Sequence, residues 1–142
     1  MPIPILKINM RHAVTGNLSG GGAILGGFGG RRKDTEVFYT FTSFNQPPTL
    51  YHYALTKGRS TVFRQPKVDF DSQAFVTEQV FCKSKDGTRV PVFLAYRKGL
   101  RRNGNNPTYL YGYGGFNVPL TPGFSVETVA WMELGGVYAM AI

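Results

Sequence analysis

The stretch Tyr109-Leu-Tyr-Gly-Tyr-Gly-Gly-Phe-Asn117 decides the fold of this chain. Its alternating aromatic residues predict a short strand over residues 108–113 that stops at the glycine pair Gly114-Gly115. Glycines allow backbone angles and close approaches that a residue with a Cβ resists. Sites in α/β sheets lie outside the carboxyl ends of strands, so Tyr113 is predicted to present a hydroxyl donor at such an end. The alternative is that the three tyrosines only fill a core, which is the usual role of aromatic strands.

The segment that follows predicts a helix and then a buried strand. Ser125 is a suitable N-cap for a helix over residues 125–134, and Gly135-Gly136 can supply the C-cap. The predicted apolar stripe of this helix consists of Val126, Val129, Ala130 and Leu134. Residues 137–142 form a continuous apolar run, which is expected of a strand buried on both faces. Strand, helix and buried strand together form half of an α/β fold.

Upstream, the sequence predicts an antiparallel meander. Residues 36–42, 49–54 and 60–64 are rich in aromatic and β-branched side chains, and turns are predicted at 45–48 and 56–58. Short strands with such spacing are typical of a propeller blade, a sandwich or a barrel. Because the chain holds no full second copy of this unit, a propeller would have to continue outside it.

Residues 65–75 interrupt this rhythm. They carry a proline and two aspartates and show poor periodicity, so we interpret them as a linker and a domain boundary. Beyond them, residues 76–84 and 89–97 predict a hairpin whose turn contains Asp86-Gly87, a strong short-range hairpin signal.

The composition bounds the class of protein. The chain has 142 residues, 42% of them hydrophobic and 17% charged, which indicates a globular protein with length for one ordinary domain. No apolar run approaches the about 18–20 residues that span a bilayer, and the N-terminal residues predict no signal peptide. Cys82 is the only cysteine, so no internal disulfide can form. Because Cys82 lies in the middle of a predicted strand, we expect a buried, inert thiol.

The net charge of +8 raises nucleic-acid binding as a possible function. The two basic clusters, at residues 31–33 and 97–102, fall in predicted turns and form no sustained basic face. We therefore interpret them as solvated loop charge.

The sequence contains no complete catalytic constellation. A G-x-S-x-G nucleophile elbow is absent, and the glycines of residues 20–30 fit neither common phosphate-binding motif. His12 and His52 have no metal-binding spacing with any carboxylate or cysteine pair. We therefore expect neither a metal nor a cofactor.

An ordered set of motifs resembles the prolyl oligopeptidase family of serine peptidases. The set consists of Ser84-Lys-Asp-Gly-Thr-Arg-Val-Pro-Val-Phe93, the stretch 109–117 and Gly135-Gly-Val-Tyr-Ala139. Upstream, Phe38-Tyr-Thr-Phe-Thr-Ser-Phe44 and Val62-Phe-Arg64 are similar to the end of that family's β-propeller. The resemblance covers residues 22–142, and residues 1–20 are unmatched.

The resemblance implies a seven-bladed β-propeller set against an α/β-hydrolase domain, both incomplete in this chain. Residues 1–70 would be the C-terminal part of the propeller, and residues 71–142 the N-terminal part of the peptidase S9-like catalytic domain. This boundary agrees with the linker interpreted at 65–75. The family's catalytic serine, aspartate and histidine would lie beyond Ile142, so the chain alone is expected to be inactive.

The same resemblance assigns two site residues. Tyr113 matches the tyrosine whose hydroxyl helps to form the oxyanion hole, and Phe116 matches the phenylalanine that lines the substrate pocket near the proline ring. Asn117 completes the motif without an assigned role. The complete enzyme would be a cytoplasmic monomer that cleaves short peptides after proline without a cofactor, and neither nucleic acid nor membrane would be a partner.

Two alternatives remain open from the sequence. One is an oligopeptidase B-like peptidase, which belongs to the same superfamily and cleaves after basic residues. The other is a stand-alone basic, β-rich binding module, in which loop arginines contact phosphates and aromatic rings contact bases. Salt-dependent binding of single strands would distinguish the binding module.

Overall fold

The computed structural model describes residues 23–27, 29–116, 118 and 120–142. The described residues form eight β-strands, one α-helix and one short 3-10 turn, arranged around two four-stranded sheets. Residues 1–20, which the resemblance leaves unmatched, lie outside the described residues.

The first sheet is an antiparallel meander whose strands follow one another in sequence order. Its strands are β1 (Ala23–Gly26), β2 (Glu36–Ser43), β3 (Gln46–Ala54) and β4 (Arg59–Arg64). The sequence prediction of a meander is therefore confirmed. Alternate residues of β2 are buried, from Val37 to Ser43, so one face of the sheet forms a small core.

The turn between β2 and β3 is tighter than predicted. Residues 45–48 were expected to form it, but β3 begins at Gln46 and includes both Pro47 and Pro48. Prolines lack the N–H that a central strand needs. Pro47 and Pro48 are tolerated here because β4 pairs with β3 only from Leu50 onward. The two prolines therefore lie outside the paired part of that ladder. The turn is thus reduced to Phe44 and Asn45.

The second sheet has the strand order β5-β6-β8-β7. Its elements are β5 (Phe75–Lys83), β6 (Arg89–Arg97), β7 (Thr108–Gly112), helix α1 (Val126–Glu133) and β8 (Val137–Ala141). Strands β7 and β8 are parallel, whereas the other neighbours are antiparallel. A parallel pair needs a crossover connection, and α1 is part of that connection.

Strand β8 lies between β6 and β7 and is buried on both faces, as its apolar sequence predicts. Val137 and Ala139 are buried on one face, and Met140 is buried on the other. Helix α1 covers the Met140 face. The main core of this sheet contains Phe44, Phe75, Phe93, Ala95, Val129, Met132 and Met140.

The buried face of α1 differs from the predicted stripe. Thr128, Val129 and Met132 are buried, whereas Val126 and Leu134 are among the exposed apolar residues. Val126 is the first residue of the helix, and Leu134 is its C-cap, so neither reaches the sheet. The prediction weighed hydrophobicity alone and missed that a threonine of the helix is buried.

Cys82 is exposed, so the prediction of a buried thiol is wrong. It lies in β5, which is one of the two edge strands of the second sheet. The hairpin of β5 and β6 also extends beyond β8, since β8 pairs only with residues Val92 to Ala95 of β6. The distal end of this hairpin therefore has little to pack against.

Within the part of the chain that the structure describes, none of the helices has the length and apolar character required to cross a membrane.

Candidate functional site

Tyr113 follows β7 directly, at the carboxyl end of the parallel pair formed by β7 and β8. Its side chain is 45% exposed, so the phenol is accessible to a molecule at this end of the sheet. The carboxyl ends of parallel strands are where α/β proteins build their sites. The observed position agrees with the predicted one.

The glycine pair after Tyr113 gives its ring room. A Cβ added at Gly115 would lie 3.0 Å from the Tyr113 Oη and 3.1 Å from its Cζ, which shows that the phenol folds over this glycine. At Gly114 the same addition would meet no atom within 4 Å. Gly115 thus leaves room for the Tyr113 ring in its observed position, whereas Gly114 has no such steric role.

Phe116 lies at the same corner and extends into solvent. Its φ angle is 56°, a left-handed conformation that residues with a Cβ adopt at a cost of about 1–2 kcal/mol. Its side chain is 93% exposed. The described residues therefore bring Phe116 to the same end of the sheet as Tyr113 without packing it there. Asn117 lies outside the described residues.

An aromatic groove runs beside β7 and was not foreseen from the sequence. Its volume is about 380 Å³, and it is lined by Tyr109, Tyr111, Ser125, Glu127, Thr128, Trp131 and Tyr138. The rings of Tyr109 and Tyr138 stack at 5.8 Å with an angle of 11°. Burial raises the pKa of Tyr138, and the neighbouring Tyr109 and Tyr111 raise it further. Tyrosines two residues apart in β7 were the available sequence signal, since they share one face of a strand.

The exposure of the three tyrosines bears on the alternative that they only fill a core. Tyr109, Tyr111 and Tyr113 are all exposed, because β7 is an edge strand. Tyr109 makes a packing contact, whereas Tyr113 lies beyond the sheet. In the described structure, core packing does not account for Tyr113.

Charged side chains near the second sheet form local pairs. Glu78 accepts a hydrogen bond of 2.8 Å from the Tyr96 hydroxyl and one of 2.6 Å from Arg102 Nη1. Burial raises the pKa of Tyr96, and its bond to Glu78 adds to this shift. Arg102 thus links the loop after β6 to β5, which is a structural role for one member of the basic cluster.

Among the described residues, no three histidine, cysteine, aspartate or glutamate side chains come close enough to hold a metal ion. His52 instead contacts Glu36 at 2.7 Å on the surface of the first sheet. Its ring also lies 5.2 Å from that of Phe38. His12 lies outside the described residues.

Comparison with known proteins identifies relatives for both sheets. The family profile described as "Prolyl oligopeptidase, N-terminal beta-propeller domain" matches residues 9–66, a range that contains all of β1 to β4. A prolyl endopeptidase of Elizabethkingia meningoseptica is 49% identical over 114 residues, which cover 80% of this chain and 16% of that enzyme. The chain therefore spans about a sixth of the length of this relative.

Solved structures show the same relationship. A structure from a study of two prolyl endopeptidases and their inter-domain dynamics superposes with a TM-score of 0.73 at 41% identity. The match covers 87% of this chain and 18% of that one. Oligopeptidase B from Trypanosoma brucei, with covalently bound antipain, gives a TM-score of 0.65 at 28% identity, covering 76% of this chain and 16% of that one. Each alignment covers far more of this chain than of its relative.

Proposed function

Because this chain belongs to the prolyl oligopeptidase family of peptidases, we propose that it is the junction between the two domains of a serine endopeptidase. In this proposal, residues up to 70 end the β-propeller, and residues 71–142 begin an α/β-hydrolase domain. The complete enzyme hydrolyses short peptides after proline through an acyl-enzyme. The observation that best supports this proposal is the half-exposed phenol of Tyr113 beyond the end of β7. It occurs in a chain that is 49% identical to a prolyl endopeptidase over 114 residues.

Two features support the boundary between the domains. Residues 65–69 are exposed, which is typical of a linker. The strands on either side of this segment belong to different sheets. The order β5-β6-β8-β7, with a helix between the parallel strands, is compatible with the first elements of an α/β-hydrolase sheet.

The proposed role of Tyr113 is that of an oxyanion donor. Acyl transfer develops negative charge on the carbonyl oxygen of the scissile bond, and a prepositioned donor lowers the barrier by about 2.7–4 kcal/mol. A phenol is suited to this role because its hydroxyl extends well past the backbone. Gly115 supports the role, since the absence of a Cβ lets the ring fold over the corner.

Phe116 is proposed to contact the proline ring of the substrate. Its side chain is exposed at the corner that carries Tyr113, and its strained backbone holds it there. Strain of this kind is found where surrounding structure and function require it. The complete enzyme is further proposed to be a cytoplasmic monomer that needs no cofactor.

A second candidate function is cleavage after basic residues. The structural similarity to oligopeptidase B at 28% identity favours this candidate. Its identity is lower than the 41% of the prolyl endopeptidase structure, so cleavage after proline is the preferred proposal.

The test measures how fast the complete gene product cleaves different peptide substrates. Chromogenic peptides with proline or arginine before the scissile bond are assayed, and a serine-directed phosphonate labels the nucleophile. We expect a strong preference for proline and labelling at one site per molecule. A preference for arginine would support the oligopeptidase B-like function, and the absence of labelling would contradict both. The 142-residue chain itself is expected to remain unlabelled, because it contains no nucleophile elbow.

A further inference from the structure

The turn between β2 and β3 inserts into the core of the second sheet. Phe44, at its tip, is only 2% exposed and belongs to the core cluster that lies between the second sheet and α1. Its ring lies 6.1 Å from that of Phe93 and 5.4 Å from that of Tyr138. A residue of the first sheet thus fills space in the interior of the second.

Asn45, the next residue, binds the second sheet through both ends of its side chain. Its Nδ2 donates to the carbonyl oxygens of Ser72, at 3.1 Å, and of Phe75, at 3.4 Å. Its Oδ1 accepts from the Thr77 hydroxyl at 3.4 Å and from the Ser43 hydroxyl at 2.8 Å. Three of these four bonds cross from the first sheet to the start of the second.

The chain segment that connects the two sheets makes fewer contacts than the Phe44–Asn45 turn does. Residues 65–69 are exposed, and Phe70 is the first residue after them that packs against the core of the second sheet. The exposed part of the linker cannot by itself fix the position of one sheet against the other. The contacts of Phe44 and Asn45 can, because they combine a buried aromatic ring with directional hydrogen bonds.

A series of ring contacts connects this turn with the strand that leads to Tyr113. Phe44 packs on Tyr138 of β8, and Tyr138 stacks on Tyr109 of β7. Strand β7 then ends one residue before Tyr113. A displacement of Phe44 would therefore change the packing of the parallel strands β7 and β8, which carry the candidate site.

We propose that the Phe44–Asn45 turn is a clasp that fixes the first sheet to the second and thereby positions the end of β7. The clasp itself does not depend on the chain being part of a peptidase. Its effect on Tyr113 rests on the proposed function. The two parts are separated by measuring hydrogen exchange, which needs no activity, before any assay of turnover.

The experiment compares two variants of the complete protein. Asn45→Ala removes the bonds that cross between the sheets. Thr42→Ala is the matched control, because the Thr42 hydroxyl donates to the Gln46 carbonyl oxygen at 3.0 Å within the same turn and makes no bond across. Hydrogen exchange is followed by mass spectrometry in peptides that cover residues 70–77, where opening of the clasp would expose the backbone.

Asn45→Ala is expected to raise the exchange rate of residues 70–77 by about tenfold, since it removes three hydrogen bonds that cross between the sheets. Thr42→Ala should leave this segment unchanged. Asn45→Asp keeps the acceptor but places a carboxylate against two carbonyl oxygens, so it should not restore protection. An unchanged exchange rate in Asn45→Ala, or an equal rise in Thr42→Ala, would overturn the clasp.

Turnover of the preferred peptide substrate provides the second measurement. If the clasp positions β7, Asn45→Ala lowers kcat several-fold with little change in KM, because Tyr113 acts on the transition state rather than on substrate binding. Raised exchange with unchanged kcat would keep the clasp and overturn its effect on Tyr113. Phe44 is not used as the primary test, since emptying a buried aromatic site can prevent folding.

Discussion

At the scale of single residues, the hydroxyl of Tyr113 is the proposed donor to the oxyanion. In the complete enzyme, Tyr113→Phe should lower kcat by about 10²–10³, since one oxyanion donor is worth that factor, while KM changes little. The reason is that the hydroxyl binds the developing oxyanion more strongly than the ground-state carbonyl. Steady-state kinetics with a proline-containing peptide measures both constants.

Tyr111→Phe is the matched control for this variant. Tyr111 lies two residues earlier, lines the aromatic groove and loses the same hydroxyl. It is expected to retain kcat within a factor of about two to three, as an exposed residue without a role in the reaction does. An equal loss in both variants would show that the effect is not specific to the Tyr113 hydroxyl, and the oxyanion role would have to be abandoned.

A second residue-scale prediction concerns Asp86 in the turn between β5 and β6. The hydroxyl of Ser84 donates to its carboxylate, as does the backbone N–H of Thr88 at 3.0 Å. These bonds lower the pKa of Asp86 to about 2, with that from Ser84 as the larger cause. A lowered pKa stabilises the turn above the usual pKa of about 3.9, and this contribution is lost as the pH falls toward 2.

The titration of Asp86 can be followed by carboxyl carbon chemical shifts in NMR spectra. Ser84→Ala should move the midpoint upward, toward the value of an ordinary aspartate. Ser84→Thr, which keeps a hydroxyl, should leave it low. If Ser84→Ala titrates like the unmodified protein, the hydroxyl is not the cause of the shift.

The sequence predicted residue positions better than residue environments. Tyr113 could be placed because its strand and the glycine pair are local features. The exposure of Cys82 could not be foreseen, because it depends on the edge position of β5 and on the shorter reach of β8. Those are properties of strand pairing, which sequence periodicity does not encode.

At the scale of elements, the end of α1 depends on a close contact between Gly136 and Trp131. A Cβ on Gly136 would lie 2.8 Å from Cδ2 of the indole and closer still to neighbouring ring atoms. The indole Nε1 donates to the carbonyl oxygen of Val137 at 2.9 Å, which links the helix to the start of β8. Glycine is required here because the ring occupies the space of a side chain.

Gly136→Ala should therefore displace the indole and weaken its hydrogen bond. We expect the local free energy of unfolding to fall by about 2–3 kcal/mol, from overpacking and the loss of one bond. Exchange of the Val137 amide, which donates to the Pro107 carbonyl oxygen at 2.8 Å, measures this change in the complete protein.

Gly123→Ala is the control for this element, because a Cβ there would meet no atom within 4 Å. It should leave exchange of the Val137 amide unchanged. Full protection of that amide in Gly136→Ala would mean that the indole can move without cost, and the requirement for glycine would be wrong.

The elements themselves were largely predictable. Hairpin and helix signals are local, so β6 was predicted with its exact bounds and α1 within one residue at each end. The β2–β3 turn was placed too late because Pro47 and Pro48 are strong turn residues in isolation. Only the register with β4 shows that they are tolerated in a strand. The insertion of Phe44 into the second sheet has no local signal at all.

At the scale of the whole molecule, the part of the chain that the structure describes leaves the outer edge of β7 without a neighbouring strand. The structure buries β8 between β6 and β7, so β5 and β7 form the two edges of the second sheet. Leu110, in the middle of β7, is 69% exposed and lies between two exposed tyrosines. An apolar edge strand is a template for pairing with another chain.

The isolated chain is therefore expected to self-associate through β7. Leu110→Lys should reduce this association, since a charge on an edge strand opposes pairing. Leu134→Lys is the matched control: Leu134 is also highly exposed but lies at the C-cap of α1, away from the edge. Light scattering and sedimentation velocity of the three chains at equal concentration measure the difference.

The comparison separates association through an edge from nonspecific adhesion of apolar surface. If Leu134→Lys relieves association as well as Leu110→Lys does, the added charge or the loss of any exposed apolar side chain is responsible rather than β7. If the unmodified chain is a soluble monomer that melts in one sharp transition, then β7 is stable without a neighbour. In that case the edge of β7 and the aromatic groove beside it would not be a surface through which the chain associates.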